Sequence, residues 1–274
     1  MVSIRQFYII CDVSLCHDCN NCFMACKDEH VGNEWLPYTG AQPRHGHRWI
    51  DILRKERGQY PRIDVAYLPL PCQHCADAPC VKSNPDCVSR REDGIVHIDA
   101  EKAKGNKSLA DSCPYGAIYW NEEAGVAQKC TMCIHILDGG AWEGKMPRCV
   151  HSCPTGALEF HHIEPLEMEK KIRDEALECY KPGLNGGKAN VYYRNLYRFE
   201  KMFIAGGLLK DGECAGGISV SLSGGGCSYT QVSDCFGDFK FDGLAPGEYT
   251  IEVNGKRDKA VVVDESVNIG TIKI

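Results

Sequence analysis

The positions of cysteine constrain this chain more than any other feature of its sequence. It has 18 cysteines in 274 residues, and most of them lie between Cys11 and Cys153. Such a chain uses its thiols in disulfides, at zinc or in iron–sulfur clusters. The first residues, MVSIRQFYIICDVS, lack the apolar stretch and cleavage site of a signal peptide. We therefore expect a cytoplasmic chain whose reduced thiols bind metal, with export beside a signal-bearing partner as an alternative.

The first cysteine group, CHDCNNCFMAC, has the spacing CxxCxxCxxxC. In bacterial ferredoxins this spacing places three thiolates on one 4Fe–4S cube, while the fourth cysteine binds a second cube. Two intervening residues let consecutive sulfurs reach different irons while backbone amides turn towards the cluster sulfides. A zinc site needs two matched cysteine pairs and leaves odd cysteines over, so the spacing favours iron–sulfur clusters.

Three further groups repeat parts of this pattern. The second is CQHCADAPCVKSNP, in which Asn84 stands where a cysteine is expected before the proline. The third retains only its last cysteine, Cys113 in SCPYGAI, whereas the fourth is complete in KCTMC and RCVHSCPTGAL. The similar words CPYGAI and CPTGAL make Cys113 and Cys153 equivalent positions of an internal repeat.

The positions that lack cysteine in the second and third groups belong together. Where ligands are expected, the sequence has Asn84, Ala103, Asn106 and Leu109. If these two groups exchange their fourth cysteines, as ferredoxin motifs do, the four positions are the ligands of a single cluster. The sequence therefore predicts the removal of one whole cluster, with three others left complete.

Exchange between the groups assigns twelve cysteines to three 4Fe–4S clusters, since the first and fourth groups become partners by elimination. We name each predicted site by its first ligand. The Cys16 site consists of Cys16, Cys19, Cys22 and Cys153. The Cys26 site consists of Cys26, Cys130, Cys133 and Cys149. The Cys72 site consists of Cys72, Cys75, Cys80 and Cys113.

Other residues near the motifs receive supporting roles. Cys11, in the apolar FYIICDVS, is predicted to be a small buried side chain. Cys87 lies near Asn84, but one cysteine does not restore a site that lacks three other ligands. The motif histidines are expected to be neighbours of ligands or surface residues: His17, His74, His135 and His151. Three large side chains are expected to shield clusters from water: Met132, Trp142 and Met146.

The second half of the chain has a different sequence pattern. PLEMEKKIRDEALECY has the three- and four-residue spacing of a helix and is predicted to be a linker. From about Tyr197, short alternating segments separated by turn pairs predict an all-β sandwich or barrel of roughly seven strands. FGDFKFDGLAPGEYTIEV resembles transthyretin-like (prealbumin-like) modules. Three cysteines there are predicted to be small strand residues: Cys214, Cys227 and Cys235.

The predicted fold class is thus α+β, with a double ferredoxin-like iron–sulfur domain followed by an all-β domain. The predicted boundaries are 1–160 for the cluster domain, 161–198 for the helical connection and 199–274 for the β domain. A net charge of -6 and a pI near 5.9 argue against nucleic acid as a partner. Since no stretch approaches the ~20 apolar residues of a membrane helix, no membrane span is expected.

The order of the four groups, with CxxCxxxxC in second place and a long gap within the fourth, resembles a known family. It is similar to the iron–sulfur electron-transfer subunits of molybdopterin oxidoreductases of the dimethyl sulfoxide reductase family. The resemblance rests on six sequence segments: CDVSLCHDCNNCFMACKDEH, GHRW, REDGIVHID, CPYGAIYWNEE, VAQKCTMC and VYYRNLYRFEK. Most such subunits hold four clusters, so this chain departs from the family at one site. With its β tail, it resembles the branch whose enzymes transfer hydroxyl groups between trihydroxybenzenes.

The resemblance implies a heterodimer in a cytoplasmic anaerobic pathway. The large subunit is expected to hold the active site and molybdopterin guanine dinucleotide with molybdenum or tungsten, so this chain has no catalytic residue. Since net hydroxyl transfer is redox-neutral, the clusters are expected to set or restore the oxidation state of that metal. Two alternatives stay open: a subunit of another molybdopterin reductase, such as an aromatic dehydroxylase, an aromatic hydroxylase or an oxyanion reductase, and a zinc-stapled structural protein. A stand-alone ferredoxin fits the appended β domain less well.

Overall fold

The computed structural model describes residues 4–139, 145–254 and 256–274, with residues 256–260 and 262 described by their backbone alone. Trp142, predicted to shield a cluster, lies outside the described residues. The chain divides into two units. The first comprises Met1–Leu53 and Tyr67–Leu196, and the second comprises Arg54–Ala66 and Tyr197–Ile274. In the described part of the chain, no helix is long and apolar enough to cross a membrane.

The first unit contains short helices and small sheets, whereas the second consists mainly of strands, in agreement with the predicted α+β class. The helices are α1 Asn21–His30, α2 Pro79–Ser83, α3 Ile134–Gly139, α4 Arg148–His151, α5 Pro165–Asp174 and α6 Tyr197–Glu200. Two 3-10 helices occupy Lys107–Ser112 and Pro182–Leu184. The strands are β1 Gln6–Asp12, β2 Ile50–Gln59, β3 Arg62–Pro71, β4 Val88–Arg90, β5 Val96–Ile98, β6 Ile118–Asn121, β7 Val126–Lys129, β8 Leu158–Ile163, β9 Val191–Arg194, β10 Met202–Lys210, β11 Glu213–Cys214, β12 Ser219–Gly224, β13 Cys227–Val232, β14 Asp238–Leu244, β15 Gly247–Val253, β16 Lys256–Val263 and β17 Val267–Lys273.

A three-stranded sheet with β1 at its centre supports the first unit. β1 pairs antiparallel with β8 and parallel with β9. Its residues Ile9, Ile10 and Cys11 are at most 1% exposed, because a central strand covered on both faces is continuously apolar. Cys11 is therefore a buried strand residue, as predicted. The predicted helix is present as α5, and its Met168 packs in an apolar cluster that includes Tyr8 and Ile10.

The internal repeat is visible as the same turn in two places. Cys113 and Cys153 each begin a Cys-Pro-x-Gly turn that leads into a strand, β6 in one copy and β8 in the other. The amides of Gly116 and Gly156 donate to the carbonyl oxygens of these cysteines at 3.0 and 3.4 Å. Both glycines have φ near +65°, a region that glycine enters without steric cost. The segments CPYGAI and CPTGAL, from which the repeat was predicted, thus share the same backbone conformation.

Two four-stranded sheets form the second unit. One has the order β11-β10-β14, with β17 parallel to β10, and the other has the order β13-β12-β15-β16. Their inward-facing side chains, such as Phe241 and Ile251, form a single apolar cluster. Roughly seven strands were predicted from about Tyr197, and the described residues there form eight, β10 to β17. Cys235 is the exception among the predicted strand cysteines: it lies in a turn where the Asp234 carboxylate accepts hydrogen bonds from the amides of Phe236 and Asp238.

A buried arginine ties residues 54–66 into the second unit. The side chain of Arg57 is 1% exposed and pairs with Asp64 at 2.5 Å and with Asp242 at 2.9 Å. Burial acts to raise the pKa of Asp64, but hydrogen bonds and charges from Lys240 and Arg57 lower this pKa to about 2. The two carboxylates thus neutralise a cation that would be costly to bury alone.

Candidate metal centres

The loops Cys16–Cys19, Cys72–Cys75 and Cys130–Cys133 share one backbone feature. In each loop the residue before the second cysteine has a positive φ: 55° at Asp18, 44° at His74 and 56° at Met132. Residues other than glycine adopt this left-handed conformation at a cost of about 1–2 kcal/mol each. The conformation folds the loop back so that successive amides can face an anion on its inner side. Such a loop suits a cluster whose sulfides accept hydrogen bonds from the backbone.

The four cysteines of the predicted Cys72 site line one cavity. Cys72 follows β3, Cys80 lies on the short helix α2, and Cys113 follows the 3-10 helix Lys107–Ser112. Burial and neighbouring thiols raise the pKa of Cys75 to about 12 and that of Cys80 to about 11. The cavity therefore brings together three cysteines of the second sequence group and one of the third.

The four cysteines of the predicted Cys26 site line a second cavity. Cys26 comes from α1 and Cys149 from α4, while Cys130 and Cys133 flank the loop between β7 and α3. Burial and the Cys72 thiol raise the pKa of Cys130 to about 11, and burial raises that of Cys133 to about 12. This cavity joins the first and fourth sequence groups.

The four cysteines of the predicted Cys16 site also lie close together. After burial, the largest effects of other thiols on the raised pKa of Cys22 come from Cys16, Cys153 and Cys19. The Ser152 hydroxyl donates to the Asn21 carbonyl at 3.2 Å, which fixes Cys153 beside the start of α1. All twelve predicted ligands thus fall into three local groups of four.

The thiols also relate the three groups to one another. Cys22 of the Cys16 site is among the thiols that raise the pKa of buried Cys149 in the Cys26 site. Cys72 in turn raises the pKa of Cys130, which belongs to the Cys26 site. The Cys26 site therefore has thiols of both other sites in its neighbourhood.

The donor sets fit a four-iron cluster better than a single metal ion. Within the parts of the chain that the structure describes, no three His, Cys, Asp or Glu side chains converge closely enough to hold one ion. A tetrahedral zinc draws its sulfurs to about 2.3 Å from one centre, whereas each thiolate of a 4Fe–4S cube binds a different iron. Two cavities, each with four cysteines on its walls, match the second arrangement. Because ligands are thiolates, binding must displace protons from thiols whose pKa burial has raised.

The place predicted for the missing cluster is filled by protein. Ala103 and Leu109 are completely buried in an apolar cluster that also contains Ile118 and Val126. We call this group, with Asn84 and Asn106, the filled site. Cys87 is buried beside it, and its thiol lies 3.8 Å from the Asn84 carbonyl oxygen. Close-packed side chains thus take up the volume that a cluster would need.

The predicted supporting residues have different environments. His17 and His151 are exposed, His74 is buried, and His135 pairs with Glu29 at 2.9 Å. Met132 is buried on the wall of the Cys26 cavity, whereas Met146 is half-buried and is not one of the residues that line this cavity.

Three residues beside the cavities escaped prediction from the sequence. His30 is 1% exposed, and its Nε2 lies 3.9 Å from the Cys133 sulfur. The buried Asn185 side chain opposes the rise in the pKa of Cys75 that burial causes. Lys129 is buried on the wall of the Cys72 cavity. Only Lys129 is next to a motif cysteine, so only its position gave any signal in the sequence.

Loops of this form, holding cysteines in crossed groups of four, define a ferredoxin-type iron–sulfur protein. Residues 63–163 match the family described as a 4Fe-4S dicluster domain. Over 99% of its length the chain is 52% identical to the pyrogallol hydroxytransferase small subunit of Pelobacter acidigallici, all of which is covered. It is 32% identical to the B subunit of the anaerobic dimethyl sulfoxide reductase of Escherichia coli (strain K12), over 68% of this chain and 87% of that subunit. It is 31% identical to the thiosulfate reductase electron transfer subunit of Salmonella typhi, over 69% of this chain and 93% of that subunit.

The chain therefore belongs to the family of iron–sulfur subunits that contains these three proteins. The predicted resemblance to electron-transfer subunits of the dimethyl sulfoxide reductase family is confirmed. The finer assignments, which concern cluster number, ligands and partner, are proposals.

Proposed function

We propose that this chain is the small subunit of a heterodimeric, cytoplasmic molybdopterin enzyme that transfers hydroxyl groups between trihydroxybenzenes, as pyrogallol hydroxytransferase does. It holds three 4Fe–4S clusters, at the Cys16, Cys26 and Cys72 sites. The large subunit holds the molybdopterin guanine dinucleotide, its molybdenum or tungsten, and the aromatic substrate.

One observation carries the proposal: two cavities each have four cysteines on their walls, drawn from two different sequence groups. The crossing is the one that ligand exchange between ferredoxin motifs requires. The similarity to the Pelobacter protein extends over both units of the chain, so it favours this branch of the family over the reductases, whose similarity covers about two thirds of the chain.

The residues of this chain position and insulate, and they perform no bond chemistry. When bound, the clusters supply one-electron transfer. The cysteines fix each cluster, the left-handed residues Asp18, His74 and Met132 turn amides towards it, and apolar walls exclude water. In this proposal the three sites form a short path for electrons, with the Cys26 site in the middle. Hydroxyl transfer has no net electron demand, so this path serves to set the oxidation state of the partner's metal.

The second unit has a supporting role in the proposal. We assign it to the prealbumin-like modules on the basis of its two sheets and shared core. Because such modules host many functions, the assignment concerns fold and stability of the subunit and adds no chemistry.

The direct test is the iron and acid-labile sulfide content of the heterodimer, purified without oxygen and examined by EPR after reduction with dithionite. We expect about twelve irons and about twelve sulfides per small subunit, with signals from three interacting clusters. About sixteen irons would refute the filled site, and zinc in place of iron would refute electron transfer.

A second candidate function follows from the similarity to subunits of two reductases. A heterodimer of that type oxidises an external electron donor in proportion to product. The proposed transhydroxylase converts one trihydroxybenzene to another with no donor consumed beyond initial activation. Measuring donor oxidation and product formation in the same anaerobic reaction separates the two.

A further inference from the structure

Lys129 is a buried cation beside two of the proposed clusters. It ends β7, immediately before Cys130 of the Cys26 site, and its residue is 3% exposed. Its side chain lies on the wall of the Cys72 cavity together with all four cysteines of that site. The ammonium Nζ donates to the Val96 carbonyl at 2.5 Å and to the Cys130 carbonyl at 3.0 Å.

The local partners of this ammonium leave its charge unbalanced. Among the described residues, Lys129 has two carbonyl acceptors and no carboxylate at ion-pair distance. Carbonyl dipoles satisfy hydrogen bonds but do not neutralise a full charge, and burying an unpaired ammonium costs several kcal/mol. By contrast, the buried Arg57 of the second unit has two carboxylates. The fold thus buries the Lys129 cation with no carboxylate beside it, which implies that an anion binds next to it.

We infer that Lys129 is the counter-ion of the cluster at the Cys72 site and that it raises the reduction potential of this cluster and of its neighbour at the Cys26 site. The inference rests on the ligand assignment of the proposed function. A cube with four thiolates is anionic, and its reduction adds one further electron and one negative charge without moving a proton. A fixed cation nearby stabilises the reduced form more than the oxidised form, because Coulomb attraction grows with the added charge.

The position of Lys129 brings it close to two neighbouring sites. Its side chain lies on the wall of the cavity that the four cysteines of the Cys72 site also line. Its ammonium donates to the carbonyl of Cys130, a proposed ligand of the Cys26 site. A single ammonium therefore favours negative charge at both sites.

The test is an EPR-monitored redox titration of the anaerobic heterodimer, with dithionite supplying the electrons. K129Q keeps a hydrogen-bond donor without the charge, K129M removes both, and K129R keeps the charge. K107M is the matched control, since Lys107 is an exposed lysine paired with Glu122. Iron content is measured on every variant, so that a failure of the ligand assignment is seen separately. If the unmodified protein holds fewer or more than about twelve irons, the result contradicts the proposed function and not the role of Lys129.

We expect K129Q and K129M to keep their iron and to lower the potential of at least one cluster. At the unmodified midpoint the ratio of reduced to oxidised cluster should fall about tenfold, which is 59 mV for one electron. K129R should restore most of the shift, and K107M should leave all potentials unchanged. Full iron with unchanged potentials in K129Q or K129M would overturn the inference. Loss of iron in both variants would also overturn it, in favour of a purely structural role.

Discussion

The side-chain amide of Asn106 donates a hydrogen bond to the Asn84 side-chain oxygen at 2.9 Å. These two residues stand 22 positions apart, at two places where the cysteine repeat predicts ligands of one cluster. The other two places, Ala103 and Leu109, are completely buried in an apolar cluster. The four replacements thus contact one another or a common core, as positions around one former site must.

The asparagine pair should stabilise the first unit without affecting iron. We expect N84A and N106A each to lower the free energy of unfolding by about 1 kcal/mol, with a coupling of about 0.5–1.5 kcal/mol in the double variant. The measurement is denaturant unfolding of the reconstituted subunit, with iron analysis of each variant. Loss of about four irons in either single variant would contradict a structural role for the pair.

Two buried cysteines seven positions apart should behave differently. Cys80 and Cys87 are 8% and 7% exposed, so their removal leaves cavities of similar kind. C80A should lose the cluster of the Cys72 site and bind about eight irons, whereas C87A should keep about twelve. Iron analysis after anaerobic purification gives the comparison directly. Equal iron loss in both variants would mean that Cys87 is a ligand and that the assignment of the Cys72 site is wrong.

The ion pairs of Arg57 should make the stability of the second unit depend on pH. The folded-state pKa of Asp64 is about 2, below its usual value of 3.8. Its contribution is therefore complete above pH ~4 and is lost as the pH falls through about 2. Because Asp64 is partly exposed, we expect D64N to lower protection by only about 1 kcal/mol at pH 6, and the difference to vanish near pH 2.

Hydrogen exchange of the peptide that contains β10 measures this effect in the full chain, because Met202–Lys210 pairs with the strand that carries Asp242. Comparison of D64N with the unmodified protein at each pH removes effects common to both, including acid loss of iron. D211N, at an exposed turn residue, is the control and should match the unmodified protein. A D64N effect that stays constant down to pH 2 would contradict the charge argument.

Two glycines with positive φ should differ in their tolerance of alanine. A Cβ at Gly94, where φ is 90°, would lie 2.1 Å from Asn190 Nδ2, which donates to the Phe7 carbonyl. At Gly105, with φ of 78°, a Cβ meets nothing within 4 Å. G105A should cost about 1 kcal/mol from backbone strain, and G94A about 3 kcal/mol or more because Asn190 must also move. Exchange protection of the β1 peptide reports G94A, and that of the peptide containing Gly125, whose carbonyl accepts from the Gly105 amide, reports G105A. Similar losses for the two variants would contradict the steric account.

Much of the cluster region could be predicted because its information is local. Cysteine spacing fixes the groups, and the words around Cys113 and Cys153 fix the repeat, since both depend on residues a few positions apart. The strands from β12 to β17 were predictable for the same reason, through alternation and turn residues.

Pairings between distant residues were not predictable from local pattern. Arg57 and Asp242 are 185 positions apart, and nothing near either residue indicates that 54–66 belongs to the second unit. Lys129 and Val96 are joined across 33 positions by a hydrogen bond that places a cation inside the first unit. The Cys235 error has a local cause: the Asp234 carboxylate offers backbone amides an alternative to strand pairing.

The filled site has an electrical consequence. Leu109 and the two asparagines put redox-inactive side chains beside the Cys72 site, where the repeat predicts a fourth cluster. With the proposed ligands, an electron at the Cys72 site therefore has no further cluster to reach on the side of the filled site.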